Sequence, residues 1–354
     1  MNSRNKNAIY SVVLIIAVGS VWLYRNADTP TAKTPIADER LLHLKGVTMG
    51  VVAYNIKYYQ EANTTNYQQE IDELLGAFNQ SLSHYISDSE ISRFNQSDTG
   101  IELNSRFFYP VMQMSEEVYR KTEGAFDPTV SPLINAWGFG PDKSLAKNDS
   151  LSIDSLLQLV GFSQIEFNEK ELKKTKPEIT LNFSAVAKGY AVDIVAELLD
   201  QKGIKNYMVE IGREVQCRGV NTEGEAWRIG IVNPNYKTQP RQMLNATVAL
   251  ENMSLATSGN YETFYIKDGK KYAHTISPFT GYPVDHNLLS ASVFAPNCTI
   301  ADAYATALMV LGTEKSKEIL NSTPNLEGIL IYEEKGEIKT YITKKLKDKV
   351  NQIM

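Results

Sequence analysis

The sequence predicts an α+β fold, with mixed or antiparallel sheets and helices packed against them. Strand-like segments arrive in runs and do not alternate strictly with helices, which disfavours a doubly wound parallel sheet. The helical apolar periods are separate, and several close at a glycine. Hydrophobic residues make up 43% of the 354 and charged residues 22%, an ordinary globular mix that supports a large core.

From the N-terminus, Arg4 and Lys6 precede an apolar run from Ala8 to Tyr24. As a helix it spans roughly 26 Å, the short end of a membrane crossing. It has no polar face, and Trp22 and Tyr24 stand where an interfacial belt would lie. Residues 1–25 therefore read as a membrane anchor oriented N-inside, with a cleaved signal peptide as the alternative. Either places the remainder outside the cytoplasm, on the periplasmic face of the inner membrane. The stretch 26–40, rich in Thr, Pro and Ala, reads as a linker, and 41–354 as the catalytic domain.

Val47 to Tyr59 is β-rich and partly alternating, and reads as a strand. Ile71, Leu74, Leu75, Phe78 and Leu82 recur at helical spacing, in a helix ending before Tyr85. A second helix is expected over Arg106–Thr122 and a short one over Asp154–Val160, closed by Gly161. Ser184 to Lys202 reads as a helix capped by Ser184 and ended by Gly203. Strands are expected at Tyr207–Ile211, Trp227–Val232, Met243–Glu251 and Tyr261–Ile266. An apolar helix, Thr299–Leu311, ends at Gly312. A helix at Glu314–Asn321 and strands at Gly328–Tyr332 and Ile338–Ile342 close the chain.

Net charge is −5, so no basic excess exists to neutralise nucleic-acid phosphates, and a nucleic-acid role is not expected. Cys217 and Cys298 lack metal-ligand spacing. Two buried thiols are the expected state, and a disulfide is left open. The chain has no Gly-x-Ser-x-Gly, no His-Glu-x-x-His and no P-loop. Four histidines make an imidazole-built zinc site improbable.

What remains are polar clusters at helix ends. Glu123 to Pro141 is an aromatic, turn-forming loop with Asp127 and Asn135 as polar members. It reads equally as an ordered loop packed on Trp137 or as a wall for a flat ring. Leu181 to Asp193 places Asn182 and Ser184 at a helix mouth with Lys188 one turn in. That suits an anion, or simply a capped helix. His274 precedes a loop rich in Pro and Gly, where it serves as a proton acceptor or as a turn cap. Asp302 and Thr306 share a helix face and offer hard oxygens to Mg²⁺, although Thr299-x-x-Asp302 also matches a capping box.

Taken in order, these segments resemble the FAD:protein FMN transferase (ApbE) family from about Gly46 to Gly312. The matching stretches include Ser89-Glu-Ile-Ser-Arg-Phe-Asn95, Gly124-Ala-Phe-Asp-Pro128, Ala187-Lys-Gly-Tyr-Ala191 and Ala256-Thr-Ser-Gly259. His274 with Pro278–Pro283, and Ala301-Asp-Ala303 through Thr306, complete the series. The resemblance implies the ApbE-like flavin transferase architecture, FAD as donor substrate and Mg²⁺ as cofactor. It implies a flavin-nucleotide site formed by Met49, Tyr85, Ala125, Phe126, Asp127, Asn182, Lys188 and Ile276. It further implies metal ligands Asp302, Thr306 and the Ala185 carbonyl, with His274 acting on the acceptor hydroxyl. The implied partners are acceptor proteins carrying a Ser/Thr flavinylation motif, such as redox-pump subunits. FAD hydrolysis to FMN and AMP, or flavin binding without catalysis, are the alternatives. The chain departs from the family pattern at Asn182 (usually Asp), at Arg213 (usually Gly) and at Ser277 (usually Asp).

Overall fold

The computed structural model describes residues 40–60, 65–140, 152–235, 243–261, 263–267 and 269–352. The chain divides into two compact units, residues 38–221 with 226–354, and residues 1–37 with 222–225. Of the smaller unit only the turn 222–225 is described. The expected anchor at 1–25, and the expected linker up to residue 39, lie outside the described residues. Among the described residues no helix is long and apolar enough to cross a membrane.

The larger unit opens with a hairpin, β1 (Arg40–Thr48) and β2 (Val52–Gln60). The single strand expected at Val47–Tyr59 is thus interrupted. Met49 and Gly50 take positive φ, +48° and +83°, and reverse the chain so that Thr48 pairs with Val52. Helices α1 (Gln68–Leu82) and α2 (Glu90–Gln96), strand β3 (Gly100–Glu102), and helices α3 (Phe108–Lys121), α4 (Ser131–Ala136) and α5 (Ile153–Leu157) follow. Short strands β4 (Ile165–Phe167) and β5 (Glu171–Lys174) lead to α6 (Ala187–Gln201). Next come β6 (Tyr207–Ile211), β7 (Glu214–Arg218), β8 (Trp227–Val232), β9 (Leu244–Leu250) and β10 (Met253–Gly259). A small hairpin, β11 (Phe264–Lys267) with β12 (Lys270–Ala273), precedes β13 (Leu288–Ala295). Helices α7 (Cys298–Leu311) and α8 (Thr313–Ser322) and strands β14 (Glu327–Glu334), β15 (Glu337–Ile342) and β16 (Val350–Gln352) complete it.

One eight-stranded antiparallel sheet, ordered β1-β2-β6-β7-β10-β13-β14-β15, forms the spine. Side-chain alternation sends its residues into two cores. Ile56, Val209, Ile211 and Val293 pack under α6 and α7. Met208, Val215, Leu255 and Phe294 pack against the three-stranded sheet β16-β9-β8, meeting Trp227, Ile231 and Val248. Cys217 and Cys298 are buried free thiols.

Between β7 and β10 the sheet opens. Pairing there runs only from Met253↔Cys217 to Leu255↔Val215, while β10 stays paired with β13 through Gly259↔Ser290. Past Leu255, β10 has a ladder partner on one side only among the described residues, and the site lies at this opening.

Candidate functional site

Helices α6 and α7 meet at Gly189, and only a missing side chain allows the approach. A Cβ at Gly189 would lie 2.3 Å from the Cys298 carbonyl oxygen and 2.8 Å from the Asp302 Cβ. The Gly189 N–H donates to Asp302 Oδ2 at 3.0 Å. One turn along α6, Asp193 accepts from the N–H groups of Cys298 (2.7 Å) and Thr299 (2.8 Å), and from the Thr299 hydroxyl. These orphan donors at a helix N-terminus suit a carboxylate. Burial nevertheless pushes the Asp193 carboxyl up to about 6, against those hydrogen bonds.

The expected caps differ from those observed. Ser184 does not cap α6. Its N–H donates to Asn182 Oδ1 at 2.8 Å, and Val186 and Ala187 both donate to the Phe183 carbonyl, so a turn precedes the helix. At α7 the cap is Asn297, whose side chain accepts from the Ile300 N–H at 2.8 Å. Thr299 therefore lies inside the helix and Asp302 a turn in. This overturns the capping-box reading and leaves Asp302 turned to α6.

Lys188 of α6 places its ammonium 2.6 Å from Glu214 Oε1 and 3.6 Å from Asp302 Oδ1. Glu214 and Asp302 are each only 2% exposed. Burial raises the affinity of both carboxyls for a proton, and Lys188 opposes that shift. Burial alone would lower the Lys188 pKa, but the two carboxylates hold the ammonium above its ordinary value. Glu214, pushed up to about 7, exchanges its proton near neutral pH, so the floor carries at most one net negative charge. Glu214 Oε2 is buried without a hydrogen-bond partner among the described residues. Nothing local in the sequence marks Glu214 as a site residue. Its role shows once the β6–β7 turn folds it beneath Lys188.

This floor opens into a cavity of about 690 Å³. Ala125, Phe126 and Asp127 form one wall, and Asn182, Ala185 and Lys188 a second. His274 and Ile276 line a third, and Asp302 and Thr306 of α7 lie below, with Thr257 and Ser258 from the free stretch of β10. The Ser258 and Thr306 hydroxyls are 3.3 Å apart. Asp127 accepts from the Thr129 N–H at 2.8 Å and the Thr129 hydroxyl at 2.6 Å, yet burial pushes its carboxyl up to about 6. His274 is exposed, with Nδ1 3.1 Å from the Thr263 carbonyl oxygen. A carbonyl only accepts, so Nδ1 carries the proton and Nε2 is the proton-accepting nitrogen of the neutral ring.

Two residues of the expected nucleotide set are not among those lining this cavity. Met49 sits at the tip of the β1–β2 hairpin and packs on the helix-side core. Tyr85 follows α1 in an exposed turn, 74% accessible, its ring centroid 4.2 Å from that of His84. Trp137 takes the packing role, stacked on Tyr272 and donating from Nε1 to the Gly281 carbonyl at 2.8 Å. The departures at Asn182 and Ser277 keep acceptor function. Asn182 Oδ1 serves the Ser184 N–H, and Ser277 Oγ accepts from Phe279 and Thr280 at 3.3 and 3.4 Å.

No group of three or more His, Cys, Asp or Glu side chains able to hold a metal occurs among the described residues. A cation at Asp302 therefore has to draw on other oxygens. The Thr306 hydroxyl and the Ala185 main chain share the cavity with Asp302. An all-oxygen donor set around the Asp302 carboxyl fits a hard divalent cation.

The ApbE family model matches residues 49–330. The chain belongs to the ApbE family. It is 38% identical over 294 residues to the FAD:protein FMN transferase of Haemophilus influenzae, covering 80% of this chain and 84% of the relative. It is 35% identical over 348 residues to that of Escherichia coli K12, covering 96% and 97%. Among solved structures it is similar to the flavin transferase ApbE from Vibrio cholerae, with TM-score 0.78, 34% identity and coverage of 88% of this chain and 99% of that one. The apo flavinyl transferase ApbE of Pseudomonas stutzeri superposes with TM-score 0.77 at 29% identity, covering 89% and 98%. The chain is accordingly an α+β enzyme of the transferase class.

Proposed function

We propose that this chain is an FAD:protein FMN transferase that requires Mg²⁺, modifies a Ser or Thr hydroxyl of an acceptor protein and releases AMP. One observation carries this reading: a single cavity is lined both by the oxygen donors Asp302, Thr306 and Ala185 and by the imidazole of His274. Phosphoryl transfer asks the protein mainly for positioning and charge stabilisation, and such a cavity supplies both.

Asp302, the Thr306 hydroxyl and the Ala185 carbonyl would hold the cation, which when bound supplies positive charge to a diphosphate. Asp127 and Asn182 offer hydrogen-bonding atoms to the flavin nucleotide. His274 Nε2 accepts the proton of the acceptor hydroxyl as its oxygen bonds to the FMN phosphorus. The bond from that phosphorus to the bridging oxygen breaks, and AMP leaves with the bridging oxygen. The acceptor keeps FMN through a phosphoester.

The apolar run from Ala8 to Tyr24 supports anchoring on the extracytoplasmic face of the inner membrane, where the acceptors would also lie, redox-pump subunits among them. The test is incubation with FAD, Mg²⁺ and a candidate acceptor, read by intact mass of the acceptor and by AMP release. An adduct of one FMN with one AMP freed is expected. Free FMN and AMP with an unmodified acceptor would replace transfer with hydrolysis. No FAD turnover at any Mg²⁺ concentration would remove the enzymatic reading of this cavity.

A further inference from the structure

Arg213 occupies a backbone position that disfavours it. The two-residue turn Gly212–Arg213 joins β6 to β7, with Ile211 paired to Glu214. Both turn residues have positive φ, +62° and +81°. That is the pattern of a type I′ hairpin, in which the second central position favours glycine. A side chain with a Cβ is strained in this left-handed region, and strain beside a cavity points towards function.

The turn also fixes where Arg213 stands. A Cβ on Gly212 would lie 2.9 Å from the Lys188 Cδ, so the turn rests on the lysine stem. Glu214, the next residue, makes the 2.6 Å ion pair with that lysine. Arg213 itself is exposed and contributes to the cavity lining. Lys188 looks like the anion-binding group at the helix mouth, but two carboxylates already engage it. Beyond the charge of a bound cation, a diphosphate over this floor can draw on the wall cations Lys57, Arg213 and Arg228, of which Arg213 stands on the turn that contacts Lys188 and carries Glu214. A guanidinium is always charged, and its planar fork matches two phosphate oxygens.

We propose that Arg213 binds the diphosphate bridge of the flavin dinucleotide and thereby sets the preference for the dinucleotide over unphosphorylated flavin. This rests on reading the cavity as the dinucleotide site.

The test compares wild-type protein with Arg213→Gly in the presence of Mg²⁺, titrating FAD and riboflavin separately and recording Tm. Loss of a charge-assisted bidentate contact should raise the Kd for FAD by about tenfold or more. The Kd for riboflavin should change by less than about twofold, as riboflavin has no phosphate. Tm should stay the same or rise, because glycine relieves the left-handed strain. An FAD Kd within about twofold of wild type would overturn the proposal, as would equal weakening of both ligands together with a lowered Tm, which marks a purely structural arginine. Wild-type protein that binds FAD no more tightly than riboflavin would instead defeat the reading of the cavity itself, whatever the variant does.

Discussion

Gly189→Ala in the first turn of α6 and Gly76→Ala in the interior of α1 are the same substitution, and the structure predicts opposite signs. In α1, a Cβ at Gly76 meets nothing within 4 Å. Alanine there should stabilise the protein by about 1 kcal/mol through helix propensity. In α6, a Cβ at Gly189 lies 2.3 Å from a backbone oxygen of α7, which has no rotamer with which to move aside. Ordinary contact requires α7 to retreat by about 1 Å. Overpacking of this kind costs about 1–3 kcal/mol, towards the upper end where backbone is the obstacle. The retreat also stretches the Gly189 N–H to Asp302 hydrogen bond, a charge-assisted contact worth about 1.5–3 kcal/mol when fully lost. Set against the propensity gain of about 1 kcal/mol, the net destabilisation is about 3 kcal/mol. Asp302 moves with α7, and a misplacement of about 1 Å is enough to cost roughly a hundredfold in rate. Urea unfolding gives the stability difference, and AMP release from FAD gives the rate. A Gly189→Ala protein as stable and as active as Gly76→Ala would refute the claim that a close helix crossing positions Asp302.

Three further outcomes follow from the site. Asp302→Asn should lower AMP release by about 10²–10³-fold, as expected for loss of one electrostatic stabiliser. Its Tm should fall only slightly, because the amide oxygen still accepts from Gly189; a near-normal rate would remove Asp302 from the chemistry. His274→Ala should slow transfer to the acceptor by about 10²–10⁴-fold at saturating FAD and Mg²⁺, and an unchanged rate would leave the imidazole without a role in the step. Asp127 gives a pH signature. Burial lifts its folded pKa from 3.8 to about 6, so the folded state holds the proton more tightly than the unfolded chain. Its stabilising contribution is fully present below about pH 4 and is lost as pH rises to about 6, at most about 3 kcal/mol. Asp127→Asn should flatten urea stability between pH 4.5 and 6.5 by up to about 2 kcal/mol, and an unaltered slope would show that Asp127 is not the group responsible.

The parts of this molecule legible in its sequence are those in which one element carries its own period. Helix α7 is apolar on every side with Asp302 as its one charge, so a buried helix holding a chemically useful carboxylate was visible. The partner of Asp302 was not, because Gly189 lies 113 residues away and a glycine announces nothing about what approaches it. Strand β13 went unrecognised for a related reason. It is buried nearly throughout and built partly from Ala and Ser, so it shows neither alternation nor β-branched enrichment. The β1–β2 turn leaves little trace in the sequence because Met49 takes a positive φ that methionine rarely adopts.

Lys188 shows most clearly what charge reading in one dimension omits. At the mouth of a helix, a lysine one turn in suggests an anion site, and local sequence offers no reason to think otherwise. In the folded chain the β6–β7 turn delivers Glu214, and the α6–α7 crossing delivers Asp302, to that same ammonium. Two buried carboxylates side by side would repel, and the intervening cation opposes the upward shift that burial imposes on both. Lys188 therefore acts on the carboxylates before any ligand arrives, favouring the ionised form of Asp302 and holding it in place. The positive charge facing a phosphate must then come from a bound cation and from the cavity wall. A lysine to glutamine change at 188 should accordingly impair cation affinity at Asp302 more than flavin affinity. Titration of Mg²⁺ without nucleotide, and of FAD at saturating Mg²⁺, would separate those effects, and a loss confined to FAD would return Lys188 to the role its position in the sequence suggests.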